Sequence, residues 1–226
     1  MGLLNELMSN ARKADIGFGI HKNCVVLSVS NDERKTNDGE LVKRNCYTTF
    51  GQLNDKKAVV GEKTVSWFNL DNTSEYVYDS FFNQLDQMTC IMNVFHPEGK
   101  KDPWEDAFLA ILEEEEIETG RNETELEANL REALADKATC KSLMKSIGDA
   151  YVELLENKVG AKSQPIRLKI VYDKNGKYLQ QPKFEGFVES MEISDEDSRL
   201  KITNTENQYK AKSLTQNTNT SKPGKL

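Results

Sequence analysis

The stretch from Gln164 to Ile193 constrains this chain more than any other, because it reads as two strands joined by one tight turn. Ile166, Leu168 and Ile170 alternate with Arg167, Lys169 and Val171. That period of two belongs to a strand with one face buried and the other in solvent. Asp173-Lys174-Asn175-Gly176 follows, and Asn-Gly supplies two residues that tolerate positive φ, as a tight hairpin turn demands. The chain returns through Tyr178, Phe184, Phe187 and Val188. From Lys162 to Phe187 there are six basic residues (Lys162, Arg167, Lys169, Lys174, Lys177, Lys183) and two acidic ones (Asp173, Glu185), a local +4 in a chain of net −7. Tyr172, Tyr178 and Phe184 lie among them. Cations that meet phosphates, interleaved with rings that stack on bases, suit a single-stranded nucleic acid. The same residues also read as a solvated hairpin with ordinary core aromatics, and the stretch alone leaves both readings open.

The flanking chain changes period twice. Cys24 to Val29, Lys43 to Gly51 and Lys63 to Leu70 are strand-like, separated by polar connections at Asn31–Glu40 and Asn54–Gly61. Three strands so joined predict an antiparallel meander. Val77, Phe81, Leu85, Met88, Met92 and Phe95 then recur at spacings of three and four, predicting a helix over about residues 75–94. A second helix is expected from Pro103, capped by Asp102 and broken by Gly120, a third over about 123–136, and a fourth over about 140–158 ended by Gly160 as a left-handed cap. After the hairpin, Arg199 to Thr203 reads as a last strand. The tail from Lys212 is rich in Asn, Thr, Ser and Lys and is predicted to be disordered. Residues 1–15 are expected to form an amphipathic arm, with Leu3, Leu4, Leu7, Met8 and Ala11 at helical spacing.

The fold class is therefore α+β. With part of the helical middle set aside, the order is βββ–α–ββ, that of the five-stranded Greek-key barrel that binds oligonucleotides and oligosaccharides (the OB fold). On this reading residues 16–211 are one OB-type domain, with an acidic helical insertion at about 98–160 between strands 3 and 4, and residues 212–226 are the tail. Any α+β domain whose strands flank a helical block has the same order.

The negative net charge comes from one segment. Glu98 to Asp136 holds fourteen acidic and four basic residues, a local −10 that leaves the rest of the chain at +3. Partners follow the field of each part rather than the sum. There is no apolar run long enough to span a membrane and no secretory signal at the start. The four cysteines are far apart, without CxxC, which predicts reduced thiols and a cytoplasmic address. His21-x-x-Cys24 lacks the second pair that a zinc site requires. No P-loop, GxGxxG or GxSxG is present, and four consecutive glutamates at 113–116 point around a helix instead of converging on an ion. The expectation is a protein without catalytic activity, cofactor or metal.

Three motifs carry a resemblance: Gly19-Ile20-His21-Lys22-Asn23 before a β run, the strand Thr64-Val65-Ser66-Trp67-Phe68, and the segment from Leu168 to Ser190. They are similar to OB-fold single-stranded DNA-binding proteins of tailed bacteriophages. The resemblance covers roughly residues 16–95 and 164–205 and leaves out the acidic helices at 98–140. It implies a replication and recombination accessory that coats single-stranded DNA without regard to sequence and recruits replication proteins, in the host cytoplasm. Many such proteins end in an acidic tail. This chain departs from that pattern, with Lys222 and Lys225 in a neutral-to-basic tail.

In an OB barrel the ligand groove crosses strands 2 and 3, between the loops joining strands 1–2 and 4–5. That places Lys43, Arg44, Tyr47 and Trp67 in the groove and brings Arg167, Lys169, Lys177, Tyr178 and Lys183 from the hairpin. The cations would neutralise phosphates and Tyr47, Trp67 and Tyr178 would stack on bases. Trp67 is equally readable as the barrel's core tryptophan, and Phe50, Phe68, Phe184 and Phe187 are assigned to the core. A second reading makes the chain a protein-interaction or virion-assembly protein that works through its acidic helices.

Overall fold

Alternation decides the first three strands. Cys46, Thr48, Phe50, Val65 and Trp67 are all buried, whereas Tyr47, Thr49, Thr64 and Ser66 between them are half-buried or exposed. The computed structural model describes residues 14–35, 41–68, 77–96, 102–183 and 186–219. Among them are β1 (Ala14–Asp15), β2 (Gly19–Lys35), β3 (Leu41–Leu53), β4 (Val59–Trp67), β5 (Ile166–Tyr172), β6 (Leu179–Gln180) and β7 (Val188–Ser190). The helices are α1 (Val77–Phe95), α2 (Pro103–Glu114), α3 (Glu123–Ala135), α4 (Lys137–Leu155) and α5 (Asn204–Asn219). The amphipathic arm expected at the start lies almost wholly outside the described residues.

The chain is α+β, with one mixed open sheet in the order β1-β4-β3-β2-β5-β6 and β7 paired to β5. β2 is the hub. Its first residues pair antiparallel with β5, Gly19 opposite Ile170, and from Cys24 onward it pairs antiparallel with β3. Irregularities at His21/Cys24 and Val26/Ser28 bend it between the two partners. β3 pairs antiparallel with β4, and β1 adds a short parallel edge to β4. The five-stranded barrel closure expected from the sequence is not reached: among the described residues no ladder joins β4 to β7. Side chains meet there instead, with the Phe187 ring 6.0 Å from Trp67 and 5.7 Å from Phe50.

Helix starts follow their caps. The Asp102 side chain accepts the Trp104 N–H ahead of Pro103, and the Asn122 and Asp136 side chains do the same for α3 and α4. α4 lies on the sheet through Tyr151, whose hydroxyl is 3.0 Å from Thr48 Oγ1, and the Trp104 ring meets Tyr151 edge-on at 6.0 Å. The insertion thus shares the core of the sheet; each large side chain so buried contributes roughly 1.5–3 kcal/mol.

Three expectations are corrected. Gly160 does not cap α4, which ends at Leu155; its N–H donates to the Val26 carbonyl at 2.8 Å. Arg199–Thr203 forms no strand, because its N–H groups go elsewhere: Arg199 N–H to Glu189 Oε1 at 2.6 Å and Leu200 N–H to Ser198 Oγ at 3.3 Å. Of the tail expected over 212–226, residues 220–226 lie outside the described residues, and 212–219 belong to a helix. Thr203 and Glu206 start it as a reciprocal capping box, with Thr203 N–H donating to Glu206 Oε2 at 2.7 Å and Glu206 N–H to Thr203 Oγ1 at 3.2 Å.

Candidate nucleic-acid interface

The turn between β5 and β6 is built by one carboxylate. Asp173 Oδ1 accepts the N–H of Lys177 at 2.6 Å and of Tyr178 at 2.9 Å. Gly176 N–H donates to the Asp173 carbonyl and Asp173 N–H to the Tyr178 carbonyl, both at 2.8 Å. These hydrogen bonds hold the Asp173 carboxyl below the usual carboxylate range. Only Gly176 takes a positive φ (+71°), so the loop is not the paired Asn-Gly turn expected. Glycine is needed there twice over: a Cβ would lie 2.6 Å from Ser213 N and 2.7 Å from Tyr209 O, both backbone atoms of α5.

The turn therefore rests on the C-terminal helix, and the two bring rings and lysines together. Tyr172 stacks on Phe18 at 5.9 Å and 16°, and Lys210 Nζ sits 4.8 Å from the Phe18 ring centre. Lys177 Nζ lies 5.0 Å from the Tyr178 ring and Lys212 Nζ 5.3 Å from that of Tyr209. Lys212 also donates to the Lys174 carbonyl at 3.1 Å. Tyr178 is 60% exposed, and Lys174, Lys177, Lys183, Lys210 and Lys212 are all exposed. Of the described carboxylates here, Asp173 is committed to the turn and Glu206 to Lys169 at 2.9 Å. A hydrogen bond with the Tyr178 side chain raises the Lys177 pKa, so its charge is secure at neutral pH.

The structure divides the expected site residues. Lys177, Tyr178 and Lys183 lie on this surface. Three others are corrected. Trp67 is fully buried and donates its Nε1–H to Thr48 Oγ1 at 2.8 Å, so it is a core residue. Lys169 is fully buried against Glu206. Arg167 is 4% exposed, with Nη2 2.7 Å from Asp195 Oδ1 and Nη1 3.8 Å from Glu189 Oε2. Neither cation faces a ligand, because α5 and the segment after β7 cover the side of β5 that period-2 reasoning left to solvent. Tyr47 is half-buried on the outer face of the sheet, in register with Ser30 and Ser66 and away from the hairpin lysines. Lys43 and Arg44 lie on the extension of β3 that, among the described residues, pairs with β2 alone, opposite Arg34 and Glu33; their side chains fall outside the described residues. Sequence reasoning missed Phe18, Tyr209, Lys210 and Lys212; the signal that would have found the last three is the capping box Thr203-x-x-Glu206.

Among the described residues no three His, Cys, Asp or Glu side chains could hold a metal ion, and no helix is long and apolar enough to cross a membrane. Compared with protein-family models, curated proteins and solved structures, the chain finds no match.

Proposed function

We propose that this chain is a non-enzymatic single-stranded DNA-binding protein of the OB type, an accessory to phage DNA replication and recombination that acts in the host cytoplasm. The observation that carries this reading is the surface made by the β5–β6 turn and α5. Four aromatic rings, of Phe18, Tyr172, Tyr178 and Tyr209, alternate there with five exposed lysines. Rings accept any base and ammonium groups accept any phosphate, so such a surface binds a strand without reading its sequence. The paired bases of a duplex hide the faces that the rings need, which favours the single strand.

The connectivity supports the OB assignment. On this reading β2, β3, β4, β5 and β7 stand for the five barrel strands, and the ladders β2–β3, β3–β4, β2–β5 and β5–β7 are four of the five that a closed barrel would have, without the one between β4 and β7. α1 follows β4, where the barrel's own helix belongs, and α2 to α4 are the insertion. On this reading the β5–β6 turn opens the connection between strands 4 and 5, one of the two that flank an OB ligand groove.

The test is fluorescence anisotropy of a labelled strand of ~20–30 nucleotides across a salt series, with duplex of the same sequence as competitor. The expected result is binding that weakens with salt, by roughly 0.7 in log–log slope per neutralised phosphate, and that duplex does not displace. A folded protein that binds no strand at low salt overturns the reading.

A further inference from the structure

The β5–β6 turn, the segment after Gln180 and the start of α5 enclose a cleft of about 620 Å³. That volume falls within the ~300–1,000 Å³ of ordinary small-ligand sites. Tyr172, Tyr209 and Gln180 line it, together with Asn175, whose side chain hydrogen-bonds the Asp173 carboxylate. Lys174 and Lys183 line it as well and are exposed, so they stand at its lip. Asp173 and Glu206 also line it, and Glu206 is 8% exposed.

The charge distribution selects what can enter. Asp173 in the wall disfavours a phosphate inside the cleft, Glu206 being paired with Lys169, and the lip lysines favour one outside it. A neutral planar group therefore enters while an attached anion stays at the rim. Tyrosine rings offer stacking surfaces, and an amide presents a donor beside an acceptor, the pairing that meets the edge of an adenine. Tyr172 already stacks on Phe18, so a base laid against it lengthens an existing stack.

We propose that this cleft holds one unstacked base of the bound strand, preferentially adenine, with its phosphate held by Lys174 and Lys183. The inference rests on the strand-binding function proposed above and adds to it a single position at which the base is read. The cleft exists only because α5 is docked: Thr205, Glu206 and Tyr209 form its helix side. Helix α5 is thus part of the ligand site as well as a cover for β5.

Gln180 is the informative position, because β6 pairs with β5 through its backbone and the side chain is not needed for the ladder. The isotope-labelled full chain is titrated with deoxyadenosine monophosphate and followed by NMR, in parallel with strand anisotropy. The expected result is shift changes at the Gln180 and Asn175 amides and at Tyr172 and Tyr209, with affinity at least about tenfold weaker in Gln180→Ala and Gln180→Glu. Both variants should still bind an all-thymine strand about as well as the parent. Strand binding with mononucleotide shifts at Tyr178 alone, or with none, overturns the base site and leaves the strand-binding function standing. Cleft shifts in a protein that binds no strand keep the nucleotide site and overturn the strand-binding function. Absence of both overturns both.

Discussion

Glu206 uses one carboxylate oxygen, Oε2, to accept the Thr203 N–H and the other, Oε1, to pair with Lys169 Nζ at 2.9 Å. One side chain thus starts α5 and fastens it to the middle of β5. Both partners are buried, which is where breaking an ion pair by removing one side is costly, about 3–5 kcal/mol. Glu206→Ala should lower the unfolding free energy by that order, measured by urea denaturation. Glu206→Gln keeps an acceptor for the Thr203 N–H and loses only the charge, so it should fall between parent and Glu206→Ala. Adding Lys169→Met to Glu206→Gln removes the buried ammonium and should recover much of the loss. A change below ~1 kcal/mol in Glu206→Ala would mean that α5 is held by something else.

Trp67 should report the core and not the ligand. Its indole N–H is satisfied by Thr48, which also meets the buried Tyr151 hydroxyl, so three side chains from β3, β4 and α4 form one polar chain inside an apolar core. Burial drives the Tyr151 hydroxyl pKa well above its ordinary value, so the chain stays neutral. Trp104, the other tryptophan, is 4% exposed and donates to Thr89 Oγ1. Emission should therefore be blue-shifted, shielded from iodide and unchanged when a strand is added. Trp67→Phe should cost roughly 1–3 kcal/mol of stability and leave the affinity of the folded fraction intact. Strong quenching by an oligonucleotide would return Trp67 to the interface.

Trp67, Arg167 and Lys169 show what the sequence could and could not tell. Helices α1 to α4 were legible because local signals agree: an apolar stripe, a cap, a proline at the first position of α2. Trp67 stayed ambiguous because its partner Thr48 is tied in turn to Tyr151 of the helical insertion, and no local pattern links the three. Arg167 and Lys169 were misplaced for a different reason. Alternation identifies the face of β5 that can meet solvent only when nothing else covers it, and α5 does. That helix lacks an apolar stripe and is seated by an ion pair and by the closeness of Gly176 to its backbone. Composition marked it as a tail; its capping box was the better guide.

Glu116 offers a stabilising substitution. It follows α2 at φ 57°, the left-handed region, and Ile117 N–H closes back on the Leu112 carbonyl at 2.8 Å, as in a Schellman stop. A glutamate there is strained, and its charge stands at the negative end of the helix dipole. Glu116→Gly relieves roughly 1–2 kcal/mol of left-handed strain against roughly 0.5–1 kcal/mol for glycine's freedom when unfolded, so it should raise the unfolding free energy by up to about 1 kcal/mol. Thermal denaturation distinguishes this from the loss expected of Glu116→Val, whose branched Cβ is excluded from that region.

Asp173 should control the interface in two opposing ways. Its carboxylate fixes the amides of Lys177 and Tyr178, and it is also an anion beside the path of a strand. Asp173→Ala frees those amides, loosens the loop and should weaken strand binding by an amount comparable to Tyr178→Ala, ~1–3 kcal/mol. Asp173→Asn keeps an oxygen acceptor and removes the negative charge, so it should strengthen binding and steepen its salt dependence. The pH dependence has one sign. The folded turn depresses the Asp173 pKa, so the stabilisation is complete at neutral pH and is lost only as pH falls through the lowered value, below the ordinary ~3.9. The Tyr178 amide resonance should hold its position from neutral pH down to about 5 and move only in more acid solution. Movement near neutral pH would place control of the loop in another group, and equal weakening by alanine and asparagine would mean that the charge itself holds the turn.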